Sequence, residues 1–137
     1  MSHPRKQIRA SVVALLTGLT GVTTVEASRV TPFADSELPA LNVVNRGGQS
    51  SPITLTGSGP QERQITVGID IHVKAADGVD DLLDDIAERV EAELLGASPD
   101  TWLGGSVAEI SDEPDFDDET NLPAGVLRLV VSISTIV

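Results

Sequence analysis

Acid–base or metal chemistry in this 137-residue chain has little to draw on, because it contains two histidines, His3 and His72, and no cysteine. His72 is the better placed of the two. Asp70 lies two residues before it, so in an extended segment both project from one face. A carboxylate beside an imidazole is a permissible acid–base pair, and serines and threonines are plentiful. The rest of a catalytic constellation is missing: no strand-turn-helix nucleophile elbow, no helical His pair and no phosphate-cradling glycine loop. Gly57-Ser58-Gly59 lacks the Gly and Lys that should follow in a phosphate loop, and reads as turn chemistry. A same-face Asp/His pair is more often a surface or interface pair, so the chain is not expected to be an enzyme. Two distant histidines without a thiolate do not make a zinc site. Asp115, Asp117 and Glu119 alternate as calcium ligands do, but the glycine and the bidentate glutamate of such a loop are absent. No cofactor and no metal are expected.

Charge is the stronger signal. The formal net charge of −12 argues against the Lys/Arg surface that nucleic-acid gripping or docking on anionic membranes requires. Arg5, Lys6 and Arg9 concentrate positive charge near the N-terminus. Acids crowd the segment 79–95, where Asp80/Asp84, Asp81/Asp85 and Asp84/Glu88 are like-charged at i,i+4. Each such pair costs an isolated helix about 0.2–0.5 kcal/mol. Residues 112–119 are a second acidic run, Asp-Glu-Pro-Asp-Phe-Asp-Asp-Glu. Both runs can be plain solvated surface. The first can also be the wall of a channel that passes DNA without holding it, since acids repel phosphate; the second can face a partner or hold a cation loosely.

The elements that would position these groups follow from periodicity. Residues 4–18 read as a helix, with Pro4 in the first turn, a stripe of Ile8, Val12, Leu15 and Leu19 widened by Leu16, and Gly18 and Gly21 as the stop. The basic start, the apolar run and Val25-Glu26-Ala27 imitate a secretory leader. Six Thr and Gly residues between 17 and 24 interrupt the run, and the segment is expected to be retained. A first strand follows from Val22 towards Val30, and a short second one over 40–44. Residues 46–62, rich in Gly, Ser and Pro, predict a long projecting loop, or a hairpin if Ile53 and Leu55 pair. Strict alternation over 63–75 predicts a half-buried strand. Asp77 is placed to cap a helix over 79–95 that Gly96 ends.

A weaker strand over 102–110, an acidic loop over 111–124 and an apolar strand over 125–136 complete the chain. Pro114 disfavours regular structure in that loop. The last strand is apolar on nearly both faces, so it should lie centrally or be covered by a second chain. The fold expected is α+β: one domain over 1–137, a mixed, mostly antiparallel sheet of four to five strands, and two helices packed on it. Phe33, Trp102 and Phe116 are its aromatic residues, so aliphatic side chains must fill the core and burial from neighbours would help.

In order, the basic helix start Arg5-Lys6-Gln7-Ile8-Arg9, the segment Ser28-Arg29-Val30-Thr31-Pro32, Leu38-Pro39 leading into Ala40-Leu41-Asn42-Val43, and the long strand from Arg63 resemble the tail terminator family of long-tailed, lambda-like bacteriophages. The resemblance implies a virion structural protein that is assembled in the host cytoplasm and sits in the neck of the tail. It implies a homo-oligomer, a hexameric ring, capping the head-proximal end of the tail tube. Its partners would be the tail tube protein and a head-completion or connector protein, with DNA passing through unbound and no membrane involved. On that reading Arg5, Lys6, Arg9, Arg46, Gly47, Gly48 and Arg63 are expected at subunit or tube interfaces. Asp80, Asp81, Asp84, Asp85, Glu88, Asp115, Asp117 and Asp118 are expected to face the channel. Two alternatives stay open: another neck or head–tail completion protein, or a small soluble binding module with Asp70 and His72 in a shallow site.

Overall fold

The structure, a computed structural model, describes residues 3–52, 61–74, 78–117 and 124–136. Helix α1 (Pro4–Leu16) begins where His3 caps it, the imidazole Nδ1 accepting the Arg5 N–H at 3.1 Å. Its apolar spacing buries Ile8, Val12 and Leu16. Strand β1 (Thr24–Ala27) is shorter than the β-branched run around it suggests. Ser28 adopts a left-handed φ of 53° and turns the chain off the sheet, while its N–H still reaches the Val43 carbonyl at 2.9 Å.

Strands β2 (Ala40–Pro52) and β3 (Gln61–Lys74) correct the expected long loop. Residues 45–52 stay in the ladder, which runs from Ala40 opposite His72 to Pro52 opposite Gln61. A bulge between Asn45 and Gly47, with Gly47 at φ 105°, absorbs the extra residue Arg46. Gly48 is needed for close approach: a Cβ there would stand 2.6 Å from the Gln64 carbonyl oxygen. Ile53 and Leu55, expected to pair in any projecting hairpin, lie outside the described residues.

Helix α2 (Val79–Leu95) occupies the expected span and ends at Gly96. Its N-cap, however, is Gly78 at φ 69°, with no side-chain cap; Asp77 lies outside the described residues. A 3-10 turn over Pro99–Trp102 then buries Trp102. Strand β4 (Ser106–Asp117) starts later than expected and runs on through Pro114 into the supposed acidic loop. It is an edge strand, where a residue without an N–H is tolerated. Strand β5 (Ala124–Ile136) lies inside the sheet, as its two apolar faces require.

The architecture is α+β. The sheet order is β1-β2-β3-β5-β4, with β1 and β2 parallel and the other pairs antiparallel. Both helices pack on one face, which Leu41, Val43, Ile65, Val67, Ile69, Ile71, Leu129, Val131 and Ile133 line in a dry aliphatic layer. That face holds the fold together. Among the described residues no helix is long and apolar enough to cross a membrane.

Candidate functional site

On the face away from the helices, strict register lines up polar residues in a row. Asn42 on β2 stands opposite Asp70 on β3, and Asp70 opposite Arg128 on β5. Asp70 is 7% exposed, so its carboxylate oxygens need hydrogen-bond partners within the protein. Arg128 supplies it in a fork–fork geometry: Nε donates to Oδ1, and Nη2 to Oδ2 at 2.6 Å.

The segment after β1 folds over one end of this row. Asn42 fixes its start, its Oδ1 accepting the Arg29 N–H at 3.0 Å and its Nδ2 donating to the Arg29 carbonyl at 2.9 Å. Arg29 then organises the segment. Its guanidinium donates to Glu37 at 2.5 and 2.9 Å and to the Pro32 carbonyl at 3.1 Å, and lies 4.3 Å from the centroid of the Phe33 ring. Glu37 also accepts the Ala34 N–H at 2.8 Å. Arg29, followed by that backbone N–H, holds the Glu37 carboxyl down to about 2. Phe33 in turn meets the His72 ring at a centroid distance of 5.2 Å, and Lys74 reaches Asp35 at 3.5 Å.

Between this segment and the sheet lies a cleft of about 500 Å³, lined by Arg29, Phe33, Leu38, Asn42, Asp70 and His72 among others. Burial pushes His72 below its ordinary value; Asp70 opposes that shift and Arg128 adds to it. Burial thus favours the neutral imidazole. Asp70 and His72 do share a face and a cleft, as the alternation implies. The carboxylate, though, is engaged by Arg128 and not aimed at the ring alone. The hydroxyl lining the cleft, Thr31, accepts from Arg29 at 3.2 Å. The arrangement binds and orders a loop; it does not assemble a nucleophile with its base. Among the described residues no three His, Asp or Glu side chains are grouped to hold a metal ion.

Of the residues expected at interfaces, Arg5, Gly47, Gly48 and Arg63 come together around a recess of about 130 Å³ between the start of α1 and the β2–β3 hairpin. Arg46 sits apart from them, at the bulge, with its side chain beside Gly68 on the open face. Lys6 is exposed and Arg9 half-buried, both on α1. Asp80, Asp81, Asp84, Asp85 and Glu88 are all exposed on the outer side of α2. Asp115 and Asp117 stand near the end of β4, a strand rather than a loop, and Asp118 lies outside the described residues. The Arg128 and Arg29 networks have no local sequence signal, since each joins residues far apart or of unremarkable type.

No family model and no curated protein matches the sequence. Among solved structures, the fold is similar to that of a chain in the virion of a native gene transfer agent particle. The TM-score is 0.52 at 15% identity, and the match covers 93% of this chain and 94% of that one. At that identity the likeness shows a shared fold, spanning nearly the whole of both chains.

Proposed function

We propose that this protein is a structural subunit of a phage-like virion, and within it a tail terminator: a ring that caps the head-proximal end of the tail tube. The observation that carries the reading is the fold shared, over nearly its full length, with a chain of a gene transfer agent virion. The order of basic helix, Arg-Pro segment, Leu-Pro entry and long strand supports the terminator role within that class. An exposed acidic side of α2 suits a surface that DNA passes without binding, because like charge denies phosphate the counterion release that drives binding. The recess joining Arg5, Gly47, Gly48 and Arg63 suits a contact with a neighbouring subunit or the tube.

Deletion of the gene from a phage or particle-producing strain tests this. Tails of uncontrolled length that fail to join heads, restored by the intact protein, are expected. Normal tails and normal particles would exclude the role.

A second reading has one observation in its favour: the cleft around His72 could seat a small molecule or peptide side chain, as in a binding module. A retained ligand in the natively purified protein, displaced by Phe33→Ala, would favour it over the virion role.

A further inference from the structure

Two strand edges of the sheet lack a neighbour within the described residues, and they differ in chemistry. β1 covers β2 only from Ala40 to Val43, and the left-handed Ser28 then carries the chain away. From residue 44 to Pro52 the outer side of β2 has no strand beside it. At the other end of the sheet no described strand lies along the outer side of β4. Unpaired backbone groups on an edge are a template for another strand.

We infer that successive copies of this chain join edge to edge, the outer side of β4 in one copy pairing antiparallel with residues 44–52 of β2 in the next. The inference rests on the ring-forming role above and names the surface that would build the ring. Three features of the molecule support it. The first is polarity: β2/β3, β3/β5 and β5/β4 are all antiparallel, so β2 and β4 run in opposite directions. A copy added in the same orientation therefore presents β2 antiparallel to the preceding β4, and the sheet continues without a change of pattern. The second is charge. The β4 sequence carries Glu109, Asp112, Glu113, Asp115 and Asp117, whereas residues 44–52 contain Arg46 and no acid. Two β4 edges repel each other, while β4 and β2 attract. The contact is thus heterologous, the kind that closes into rings, and not a two-fold dimer.

The third is curvature. Bulges at Arg46 and between Val107 and Glu109 sit on the two edge-bearing strands. Bulges and acidic side chains also serve to blunt an edge against promiscuous pairing. Here β4 carries acids and residues 44–52 carry none, which blocks like-with-like pairing of β4 but leaves the unlike pair permitted. The bulges add the local bend a sheet needs to curve round an axis.

The absence of native cysteine makes the test clean. Asn45→Cys would be mixed with Ala108→Cys, Glu109→Cys or Ser111→Cys, each a single exposed substitution, and oxidised in assembled material. Crosslinks between position 45 and one preferred β4 position are expected, with neither 45–45 nor β4–β4 products. In unmodified protein, assembly should protect amides of 45–52 and 109–117 from exchange and leave α2 unchanged. Glu109→Lys combined with Asp112→Lys should slow assembly about tenfold at low salt. Rings seen by electron microscopy without the 45–β4 crosslink or the added protection would overturn the edge pairing and leave the terminator role standing. Homotypic crosslinks would overturn it in favour of a two-fold contact. A protein that stays monomeric, alone and with tails, would overturn both.

Discussion

Arg128 on β5 stands directly opposite Asp70 on β3 and closes both oxygens of its carboxylate with Nε and Nη2. The pair is asymmetric: the Arg128 side chain is 29% exposed and that of Asp70 10%. Removing Arg128 leaves an acid with little access to water, whereas removing Asp70 leaves a cation that can reach solvent. Arg128→Leu should therefore destabilise by about 2–4 kcal/mol and Asp70→Leu by about half that. Chemical denaturation of the two single variants and the double variant measures this, and equal losses would show that the asymmetry of burial does not govern the pair.

The same two residues act on His72 with opposite sign. Arg128→Leu should raise its pKa and Asp70→Asn should lower it further, both readable by NMR titration of the imidazole. Because the folded value lies below the ordinary 6.5, the unfolded chain takes up the proton first as pH falls. The contribution of His72 to stability is present above 6.5 and declines below it. In a His72→Phe variant that decline should disappear; its persistence would locate the titration elsewhere.

Glu37 titrates in a lower window. Its carboxyl is depressed from 4.5 to about 2, so its contribution is present above about 4.5 and is lost as pH falls towards about 2. Below that range the segment over the cleft should loosen, with Phe33 leaving His72. Glu37→Gln should show the loosened state already at neutral pH, reported by proton shifts of the His72 ring. Unchanged ring shifts would mean that Arg29 and Asn42 hold the segment without Glu37.

On α2, Asp84→Lys removes two repulsive pairs and creates attractive ones with Asp80 and Glu88. The folded protein should gain about 0.5–1 kcal/mol. If α2 borders a DNA channel, the same change should lower the yield of particles that deliver DNA, although the subunit is more stable. Stability and delivery rising together would place α2 on an ordinary solvated surface.

How much was legible varied with the source of each element's stability. α2, β3 and β5 carry their own periodic apolar signal, and their spans follow from it. The distal half of β2 does not: Gly47, Gly48 and the serines after them read as loop, and their order comes from the ladder with β3, itself held by β5 along its other side. The part of β4 beyond Ile110 was hidden in the same way, since Pro114 and four acids argue against a strand in isolation but are acceptable on an edge. Asp70 and His72 were readable as one face. Arg128, 58 residues from Asp70, was not, because register across strands decides that contact.

The most direct measurement is electron microscopy of the protein purified alone and of tails that contain it. A six-fold ring at the head-proximal end of the tube, with the acidic side of α2 bordering the opening, is the predicted result. Discrete monomers that never join a tail would contradict it.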